Sequence, residues 1–383
     1  MNILIAPDSF KGTLSALEAA RAIEIGIKAV LPTARTFCLP LADGGEGTLD
    51  ALLFATQGER KTARVSDANG DQRDTSYGVF ADAQGAIAVL EAAQIVGLNQ
   101  ARVAVGLRTT QGVGELLRHG LDQGLRRFLI GLGGSSTNDG GAGLLAALGV
   151  ALSDAAGNQI APHPQGLSAL ARVDFTGLDT RLSACDISVL TDVDIPLCGP
   201  SGATVMFGPQ KGVQPEQVAP FDQAIAHLAQ HGDAWAGRAV SQMPGAGAAG
   251  GLGYALMLLG AKRRPGAEVV CEKMQVDAHL RDADWLITGE GRSDAQTLHG
   301  KLPVVVARHA QRAKVRAILL SGVIDAEHRN ALAQYFVASY SVVGDGVTSD
   351  QAVRDPARYL SERASSVANW IAQTYSSPES KIE

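Results

Sequence analysis

Short runs of aliphatic and β-branched residues recur along the chain and alternate with segments whose apolar positions repeat at a helical period. The runs cover residues 2–6, 37–41, 86–90, 128–131, 187–190, 285–288, 317–320 and 336–340. Several of them are apolar at almost every position, which is typical of strands buried on both faces of a parallel sheet. The alternation predicts an α/β fold with mainly parallel strands.

A helix signal follows the first run. Ser15 and Glu18 have the spacing of a capping box, so a helix is expected to begin there. It is expected to run to about Val30, because Pro32 disfavours its continuation.

The ends of five predicted strands carry most of the chain's unusual residues. They run into loops rich in acids, hydroxyls and glycines, at residues 7–12, 42–47, 133–141, 191–194 and 289–294. In open α/β sheets, ligands bind at the carboxyl ends of the strands. We therefore expect these loops to form the functional site.

Length and charge narrow the class of protein. The 383 residues favour two domains around one cleft, given about 150 residues for a typical domain. The net charge is −6 and no long block of like charge occurs, so neither a nucleic-acid nor a membrane partner is expected.

The cellular location is suggested by two further features. No signal-peptide pattern begins the chain, and the four cysteines are widely spaced. We expect a cytoplasmic protein, a monomer or homodimer, whose polar tail at residues 376–383 is frayed.

The loop at residues 133–141 has the properties of a phosphate cradle. Its glycines allow close backbone approach, its hydroxyls add donors, and a helix is expected to begin at about Gly141. The alternative is a tight turn in which Asn138 and Asp139 cap the helix. The G-x-x-x-x-G-K-[ST] pattern occurs nowhere in the chain, which excludes a Walker-type nucleotidase.

Two further motifs are weaker. Residues 245–250 match G-x-G-x-x-G by letter, but no strand pattern precedes them, so close helix packing or a second loop facing the same nucleotide is favoured. His227 and His231 have the spacing of a shared metal site, yet no nearby carboxylate completes one, and a solvated helix face is favoured.

Phosphoryl transfer needs groups that neutralise charge, carboxylates that hold a metal, and an acid that orients or deprotonates the attacking hydroxyl. The predicted strand-end loops and their surroundings supply these groups as Asp8, Asp43, Glu46, Asp192, Asp194, Glu290 and Asp294, with Lys11, Lys211, Arg292 and Lys301.

Several of these loops also match a known family. The matching stretches are Ile5-Ala-Pro-Asp-Ser-Phe-Lys11, Ala42-Asp-Gly-Gly-Glu-Gly-Thr48, Gly131-Leu-Gly-Gly-Ser-Ser-Thr-Asn-Asp-Gly-Gly-Ala-Gly143, Phe207-Gly-Pro-Gln-Lys-Gly212, Pro244-Gly-Ala-Gly-Ala-Ala-Gly-Gly251, Ile287-Thr-Gly-Glu-Gly-Arg-Ser-Asp-Ala-Gln296 and His299-Gly-Lys301. In these residues the chain resembles the type 1 glycerate kinases of bacteria. It departs from them at Ile195, where the family often has Asn.

The resemblance implies ATP-dependent phosphorylation of D-glycerate, usually at the 2-hydroxyl. The sequence does not decide between the 2-hydroxyl and the 3-hydroxyl. The resemblance also implies two α/β domains with the active site in the cleft between them. One is Rossmann-like, with a mainly parallel sheet, over residues 1–70 and 281–383. The other is inserted at residues 71–280. Mg²⁺ is the expected cofactor, together with ATP.

Roles for individual residues follow from the resemblance together with their places in the loops. Asp192 is expected to act as base or metal ligand, with Glu290 as a further metal ligand. Lys301 and Arg292 are expected to neutralise charge on the transferred phosphoryl group. The glycerate side comprises Asp8, Ser9, Lys11, Asp43 and Glu46. The ATP phosphates are assigned to Gly133, Gly134, Ser135, Ser136 and Asn138.

Two other functions remain open from the sequence. The loop at residues 245–250 allows an NAD(P)-dependent oxidoreductase of a small hydroxyacid. A metabolite-binding regulator on a kinase scaffold is the non-catalytic alternative.

Overall fold

The computed structural model of the chain describes residues 1–298 and 300–376. His299 lies outside the described residues. So do residues 377–383, which make up most of the tail that is expected to be frayed. No helix within the described part of the chain is long and apolar enough to cross a membrane.

The strands form two larger sheets and two short ladders. In chain order the strands are β1 Asn2–Ile5, β2 Arg35–Cys38, β3 Glu59–Ser66, β4 Gln72–Asp82, β5 Gly85–Glu91, β6 Arg127–Gly131, β7 Ala151–Ser153, β8 Arg172–Asp174, β9 Asp186–Leu190, β10 Lys262–Arg264, β11 Trp285–Thr288, β12 Arg292–Ser293, β13 Arg316–Ser321, β14 Val323–Ile324 and β15 Ala338–Ser341. The helices are α1 Ala16–Val30, α2 Thr48–Thr56, α3 Ala92–Val96, α4 Gln111–Asp122, α5 Ala142–Ala147, α6 Pro164–Leu167, α7 Ala203–Lys211, α8 Pro215–Ala236, α9 Leu252–Leu258, α10 Gly266–Lys273, α11 Val276–Arg281, α12 Ala295–Leu298, α13 Leu302–Arg312, α14 Arg329–Leu332, α15 Ser349–Arg354 and α16 Pro356–Ser376.

The α/β class with mainly parallel sheets is confirmed. A strand is present at each predicted run, with ends that differ by a few residues. The prediction missed seven of the described strands, and the two longest of these, β3 and β4, form an antiparallel pair. Both strands alternate between exposed and buried positions and therefore lack the continuous apolar run on which the prediction depended.

The first compact unit comprises Met1–Asp43, Asp50–Ala55 and the chain from Ala267 onward. Its sheet has the order β15-β13-β11-β1-β2, and every pair is parallel. Numbered by position in the chain, this is the order 2-1-3-4-5, which reverses direction between β1 and β11. Such a reversal is the point at which open α/β sheets bind their ligands.

Close helix packing covers this first sheet. The predicted capping box of Ser15 and Glu18 is present at the start of α1. In the middle of α1, a Cβ on Gly26 would collide with the backbone of Ser361 in α16, so a glycine is needed for the two helices to approach. The Ser365 hydroxyl of α16 donates to the Gly26 carbonyl at 3.0 Å, which ties the helices together.

The second compact unit comprises Gly44–Leu49 and Thr56–Gly266. Its sheet has the order β10-β9-β6-β5-β4-β3, which follows the chain without a reversal. The four strands from β10 to β5 are parallel, and β5, β4 and β3 are antiparallel neighbours. Its core is almost entirely aliphatic, as the low aromatic content suggests.

The compact units end at other residues than the predicted domains. The strand β3 lies in the second unit, although the prediction assigns residues 1–70 to the first domain. The helix α11 lies in the first unit, although the prediction assigns residues 71–280 to the inserted domain. The domain division therefore stays a prediction.

Candidate active site

A cavity of about 300 Å³ lies in the first unit, beside the loops that follow β1 and β11. These are the two strands between which the sheet order reverses. Six residues assigned to the site from sequence line this cavity: Asp8, Ser9, Lys11, Glu290, Arg292 and Lys301. The structure thus brings together two groups of residues that are about 280 positions apart in the chain.

Asp8 is the most deeply buried acid of this cavity, with 3% of its surface exposed. Its backbone N–H donates to the Gly289 carbonyl at 2.9 Å, which joins the two loops, and its Oδ1 accepts from the Ser9 N–H at 2.6 Å. Burial and the negative charge of Asp43 raise the pKa of Asp8 well above its usual range, although Lys11 opposes this. A carboxyl group with a raised pKa is suited to proton transfer near neutral pH.

Two neighbours of Asp8 complete this side of the cavity. Lys11 Nζ lies 3.7 Å from Asp43 Oδ2, so two of the residues assigned to the glycerate side form an ion pair. The Ser9 hydroxyl oxygen is buried and has no hydrogen-bond partner among the described residues. A buried hydroxyl without a partner is costly unless a ligand completes its bonding.

Glu290 follows β11 and is 6% exposed. Its Oε1 accepts from the Thr297 hydroxyl at 2.6 Å and from the Ser293 hydroxyl at 3.1 Å. Its Oε2 lies 3.5 Å from Lys301 Nζ. Burial raises the pKa of Glu290, and Lys301 opposes that shift. The carboxylate thus already holds Lys301, and a metal ion at Glu290 would compete with this ion pair.

The two cations at the other side of the cavity differ in exposure. Lys301 is the N-cap residue of α13, as its position before Pro303 suggests, and its Nζ also lies 3.8 Å from Asp294 Oδ1. Arg292 is exposed over 63% of its side chain and pairs with Asp325 at 2.8 Å. Lys301 is therefore the more fixed of the two positive charges.

Apolar side chains form the remaining wall of the cavity. They are Val323, Val342, Val343, Val353, Pro356 and Leu360. An apolar wall lowers the effective dielectric constant and so strengthens the electrostatic interactions of the charged residues opposite.

The glycine-rich loop of the second unit follows β6. Gly134 has φ +75°, a left-handed conformation that favours glycine. Its carbonyl accepts from the Leu98 N–H at 3.0 Å. The backbone N–H groups of Gly133, Gly134 and Ser135 donate to no other described residue. Neighbouring free N–H groups in such a turn form an anion-binding concavity.

The rear of the same loop is already paired within the protein. The Asp139 carboxylate accepts from the N–H groups of Gly141 and Gly143 at 3.1 Å each, at the start of α5. It also accepts from the N–H and hydroxyl of Thr110, at 2.8 Å each. Asp139 is therefore the helix cap, as in the alternative interpretation of this loop. The helix start itself is thus occupied by a carboxylate of the chain.

Two of the residues assigned to the ATP phosphates form hydrogen bonds that support the loop. The Ser136 N–H and hydroxyl both donate to the Val96 carbonyl, at 2.8 and 2.9 Å. Asn138 Nδ2 donates to the Thr204 hydroxyl at 3.0 Å. The front of the loop, at Gly133, Gly134 and Ser135, keeps three consecutive N–H groups without a described acceptor.

Lys211 is among the cations that the sequence offers for phosphoryl transfer, but it received no individual role. It ends α7, is 5% exposed, and its Nζ donates to the Thr137 carbonyl of the glycine-rich loop at 2.7 Å. The available signal was its place in the motif Phe207-Gly-Pro-Gln-Lys-Gly212, which is distant from the loop in the chain.

The second glycine-rich stretch, residues 245–251, packs against the first. The Gly140 N–H donates to the Gly250 carbonyl at 2.9 Å, and a Cβ on Gly250 or Gly251 would collide with the backbone of the first loop. A short 3₁₀ helix, Val240–Gln242, precedes it instead of a strand. The strand that a dinucleotide fingerprint requires is therefore missing, and close packing explains these glycines.

Asp192 and Glu46 are both exposed in the second unit. Asp192 follows β9, which pairs with β6, so it lies at the same sheet edge as the glycine-rich loop. Its Oδ1 accepts from the Gly266 N–H at 3.2 Å.

Ile195 is the residue at which the chain departs from the family pattern. Its backbone carbonyl accepts a hydrogen bond from the Gly247 N–H at 3.1 Å. This bond does not depend on the side chain at position 195.

The rings of His227 and His231 lie 5.1 Å apart on α8. The part of the chain that the structure describes contains no group of three or more His, Cys, Asp or Glu side chains that could hold a metal ion. No shared metal site at these histidines is thus indicated.

These features define a class of protein. A parallel sheet with a strand reversal, a cavity of acids and cations beside that reversal, and a glycine loop with free N–H groups are typical of an α/β enzyme acting on small anionic substrates.

Comparison with known proteins identifies the member of this class. A model of the glycerate kinase family matches residues 3–372. The chain is 43% identical to the glycerate kinase of Bacillus subtilis over 373 residues, covering 96% of this chain and 97% of that one. It is 41% identical to the glycerate 2-kinase of Escherichia coli over 362 residues, covering 92% and 93%. The chain belongs to the glycerate kinase family.

A solved structure agrees with this assignment. It is the crystal structure described as that of a candidate glycerate kinase 2 from Salmonella typhimurium, with a TM-score of 0.81 and 41% sequence identity. The match covers 98% of this chain and 99% of that one.

Proposed function

We propose that this protein transfers the terminal phosphoryl group of ATP to D-glycerate, at the 2-hydroxyl. The observation that carries the proposal is the cavity at the strand reversal, where Asp8, Lys11, Glu290 and Lys301 come together in a member of the glycerate kinase family. The name of the Escherichia coli relative, a glycerate 2-kinase, supports the 2-hydroxyl over the 3-hydroxyl. The cytoplasm is the location in which we expect the reaction to occur.

Glycerate has one carboxylate and two hydroxyls, so its site needs a cation and several polar partners. Lys11 supplies the cation on the Asp8 side of the cavity, and the Ser9 hydroxyl supplies an unused polar group. Asp8 is suited to accept the proton of the attacked hydroxyl, because burial raises its pKa. Asp43 and Glu46 remain the other acids assigned to substrate binding.

The front of the glycine-rich loop is suited to the phosphates of ATP. The N–H groups of Gly133, Gly134 and Ser135 are the free donors there, while Ser136 and Asn138 support the loop through Val96 and Thr204. Backbone N–H groups of this kind bind phosphate oxygens without requiring a charged side chain.

Mg²⁺ bound with ATP neutralises charge on the phosphates during transfer. Mg²⁺ usually keeps several waters and takes only one or two protein carboxylates, so an exposed single acid is sufficient. Asp192 fits this requirement better than Glu290, whose carboxylate is buried and paired with Lys301. We therefore assign the metal to Asp192 first, and we assign Lys301 and Arg292 to the transferred phosphoryl group.

The experiment is a coupled assay of ADP release with D-glycerate, L-glycerate, lactate and glycerol at equal concentrations. D-Glycerate is expected to be turned over fastest, because lactate lacks the third-carbon hydroxyl and glycerol lacks the carboxylate. Phosphorus NMR of the product then distinguishes the 2-phosphate from the 3-phosphate. Glycerol turned over as fast as D-glycerate would contradict the carboxylate-binding role of the cavity.

A thermal-shift titration separates the kinase from the oxidoreductase. Mg-ATP is expected to raise the unfolding temperature and NAD(P) is not, since only a ligand of the native state stabilises it. Measurable turnover would exclude the non-catalytic regulator as well.

A further inference from the structure

Lys211 lies in an unusual electrostatic position. It is 5% exposed, and its Nζ donates to the Thr137 carbonyl at 2.7 Å and to the Ser135 hydroxyl at 3.4 Å. Within the described residues no carboxylate forms an ion pair with it. A buried ammonium group without an anionic partner is costly, so buried lysines are normally paired or lose their proton.

The charged groups around Lys211 do not compensate for this burial. Burial lowers the pKa of Lys211 to about 8, the negative charge of Asp139 opposes the shift, and the positive charge of Arg108 adds to it. The Asp139 carboxylate is already occupied by four donors, from Thr110, Gly141 and Gly143. The site thus has an excess of positive charge over negative charge.

Arg108 contributes a second cation to the same loop. One of its terminal nitrogens, Nη1, donates to the Ser136 carbonyl at 3.2 Å and to the Lys211 carbonyl at 2.9 Å. The loop carbonyls at Ser136 and Thr137 are therefore bound by cations, while the N–H groups of Gly133, Gly134 and Ser135 have no described acceptor. Free N–H groups and an unpaired cation together favour an anion of more than one charge.

We propose that Lys211 binds a phosphate oxygen of the nucleotide held by the glycine-rich loop, and that Arg108 positions both Lys211 and the loop. The proposal rests on the proposed function and assigns its phosphate site a charged residue. A bound polyphosphate would supply the anionic partner that Lys211 lacks. Lys211 is then a binding residue for the nucleotide and has no part in glycerate binding.

The test uses full-length Lys211→Met and Lys211→Arg, with dissociation constants measured separately for D-glycerate and for a non-hydrolysable ATP analogue with Mg²⁺. Loss of a charge-assisted hydrogen bond is expected to weaken the analogue roughly 10- to 100-fold in Lys211→Met. Glycerate binding should change less than about twofold, the range expected for a site that Lys211 does not contact. The matched control is Lys262→Met, which removes an exposed lysine of the same unit.

The pH dependence distinguishes binding from mere support of the loop. The ammonium form is the one that binds phosphate, so wild-type affinity for the analogue should fall as the pH rises above about 8. Lys211→Arg, which stays charged at every accessible pH, should keep its affinity over that range. Unfolding of the methionine variant, visible by circular dichroism, would leave this comparison of wild type and arginine variant intact.

Three outcomes would overturn the proposal: unchanged analogue affinity in Lys211→Met, a selective loss of glycerate affinity instead, or a pH dependence shared by wild type and Lys211→Arg. None of these depends on turnover. A wild-type protein that binds the ATP analogue but does not phosphorylate glycerate would contradict the proposed function and leave the role of Lys211 supported.

Discussion

The two compact units both contain parallel strands that end in polar loops, but only the first sheet reverses its strand order. In the first unit the strand order reverses between the paired strands β1 and β11, and the cavity with Asp8 and Glu290 lies beside their ends. In the second unit the order never reverses, and the loop after β6 is packed against a second glycine loop. A reversal leaves room for a whole small molecule, whereas an unbroken order offers mainly backbone donors at its edge.

The two units also differ in the charged groups that they bury beside their candidate binding loops. The first unit buries carboxyl groups, at Asp8 and Glu290, whose pKa values burial raises. The second unit also buries acids, among them Asp139, whose pKa burial raises. Beside its glycine-rich loop, however, it buries a lysine, Lys211, whose pKa burial lowers. Acids with raised pKa values are suited to proton transfer, and a buried cation is suited to phosphate. This difference supports the proposed division, in which the first unit binds the hydroxyacid and the second binds the nucleotide.

The largest expected effect tests the acid in the first unit. Asp8→Asn keeps the shape of the side chain but removes the proton acceptor, so kcat should fall by about 10³-fold. Steady-state kinetics of the folded variant gives this number. Asp345→Asn, an exposed acid of the same unit, is the control and should keep its kcat. A nearly normal kcat in Asp8→Asn would remove proton transfer from this cavity.

Asp192 tests whether the second unit also contributes an acid. Asp192→Asn should lower kcat roughly 10²-fold or more with little change in substrate affinity, if the carboxylate acts in the transition state. Titrating Mg²⁺ against rate then separates a metal ligand from a base, because only loss of a ligand raises the Mg²⁺ requirement. A variant that retains most of its kcat would rule out both roles, and Asp43 would become the next candidate.

Gly134 tests the backbone donors of the second unit. Gly134→Val places a β-branched residue at φ +75° and close to Ala93, so the KM for ATP should rise about tenfold or more as the loop is displaced. Gly124→Val is the control, since Gly124 has a similar φ of +81°, a Cβ there would meet no atom within 4 Å, and the residue lies outside the loop. Circular dichroism separates local displacement from unfolding. Normal folding with normal ATP affinity would contradict the assignment of this loop.

The smallest effect concerns stability and pH. The pKa of Asp8 is higher in the folded state than in the unfolded state. As the pH rises from the unfolded-state pKa through the folded-state pKa, ionisation of Asp8 therefore lowers the free energy of unfolding. Asp8→Asn should therefore unfold at a higher temperature than wild type at neutral pH. The difference should shrink as the pH falls and Asp8 becomes protonated. A difference that is independent of pH would mean that the charge of Asp8 is not the cause.

Much of this architecture could be predicted from the sequence where burial is complete. Strands such as β11, buried at every position, have continuous apolar runs, and the capping box of Ser15 specifies its helix locally. The antiparallel strands β3 and β4 could not be found in this way, because more than half of their positions are exposed or only partly buried. The order of strands, and hence the reversal, depends on long-range pairing that no local pattern records.

In the candidate site, too, features set by local sequence could be predicted and features set by contacts between distant segments could not. Acids and glycines after predicted strands could be named in advance, because carboxyl ends of parallel strands share one edge. Capping of α5 by Asp139 was one of two interpretations of its loop, and the local pattern could not decide between them, because Thr110 of a different segment also holds this carboxylate. Nor could the burial of Lys211 beneath the glycine-rich loop be predicted, because the lysine and the loop carbonyl that it binds are 74 positions apart.

The central claim, that the first unit binds the hydroxyacid and the second the nucleotide, is tested most directly by calorimetric binding to two variants. D-Glycerate and a non-hydrolysable ATP analogue with Mg²⁺ would each be titrated into Lys11→Met and Gly134→Val. The account predicts that Lys11→Met loses glycerate affinity roughly tenfold or more and keeps its affinity for the analogue, and that Gly134→Val does the reverse. The opposite pattern, in which Lys11→Met loses only the analogue, would contradict the account.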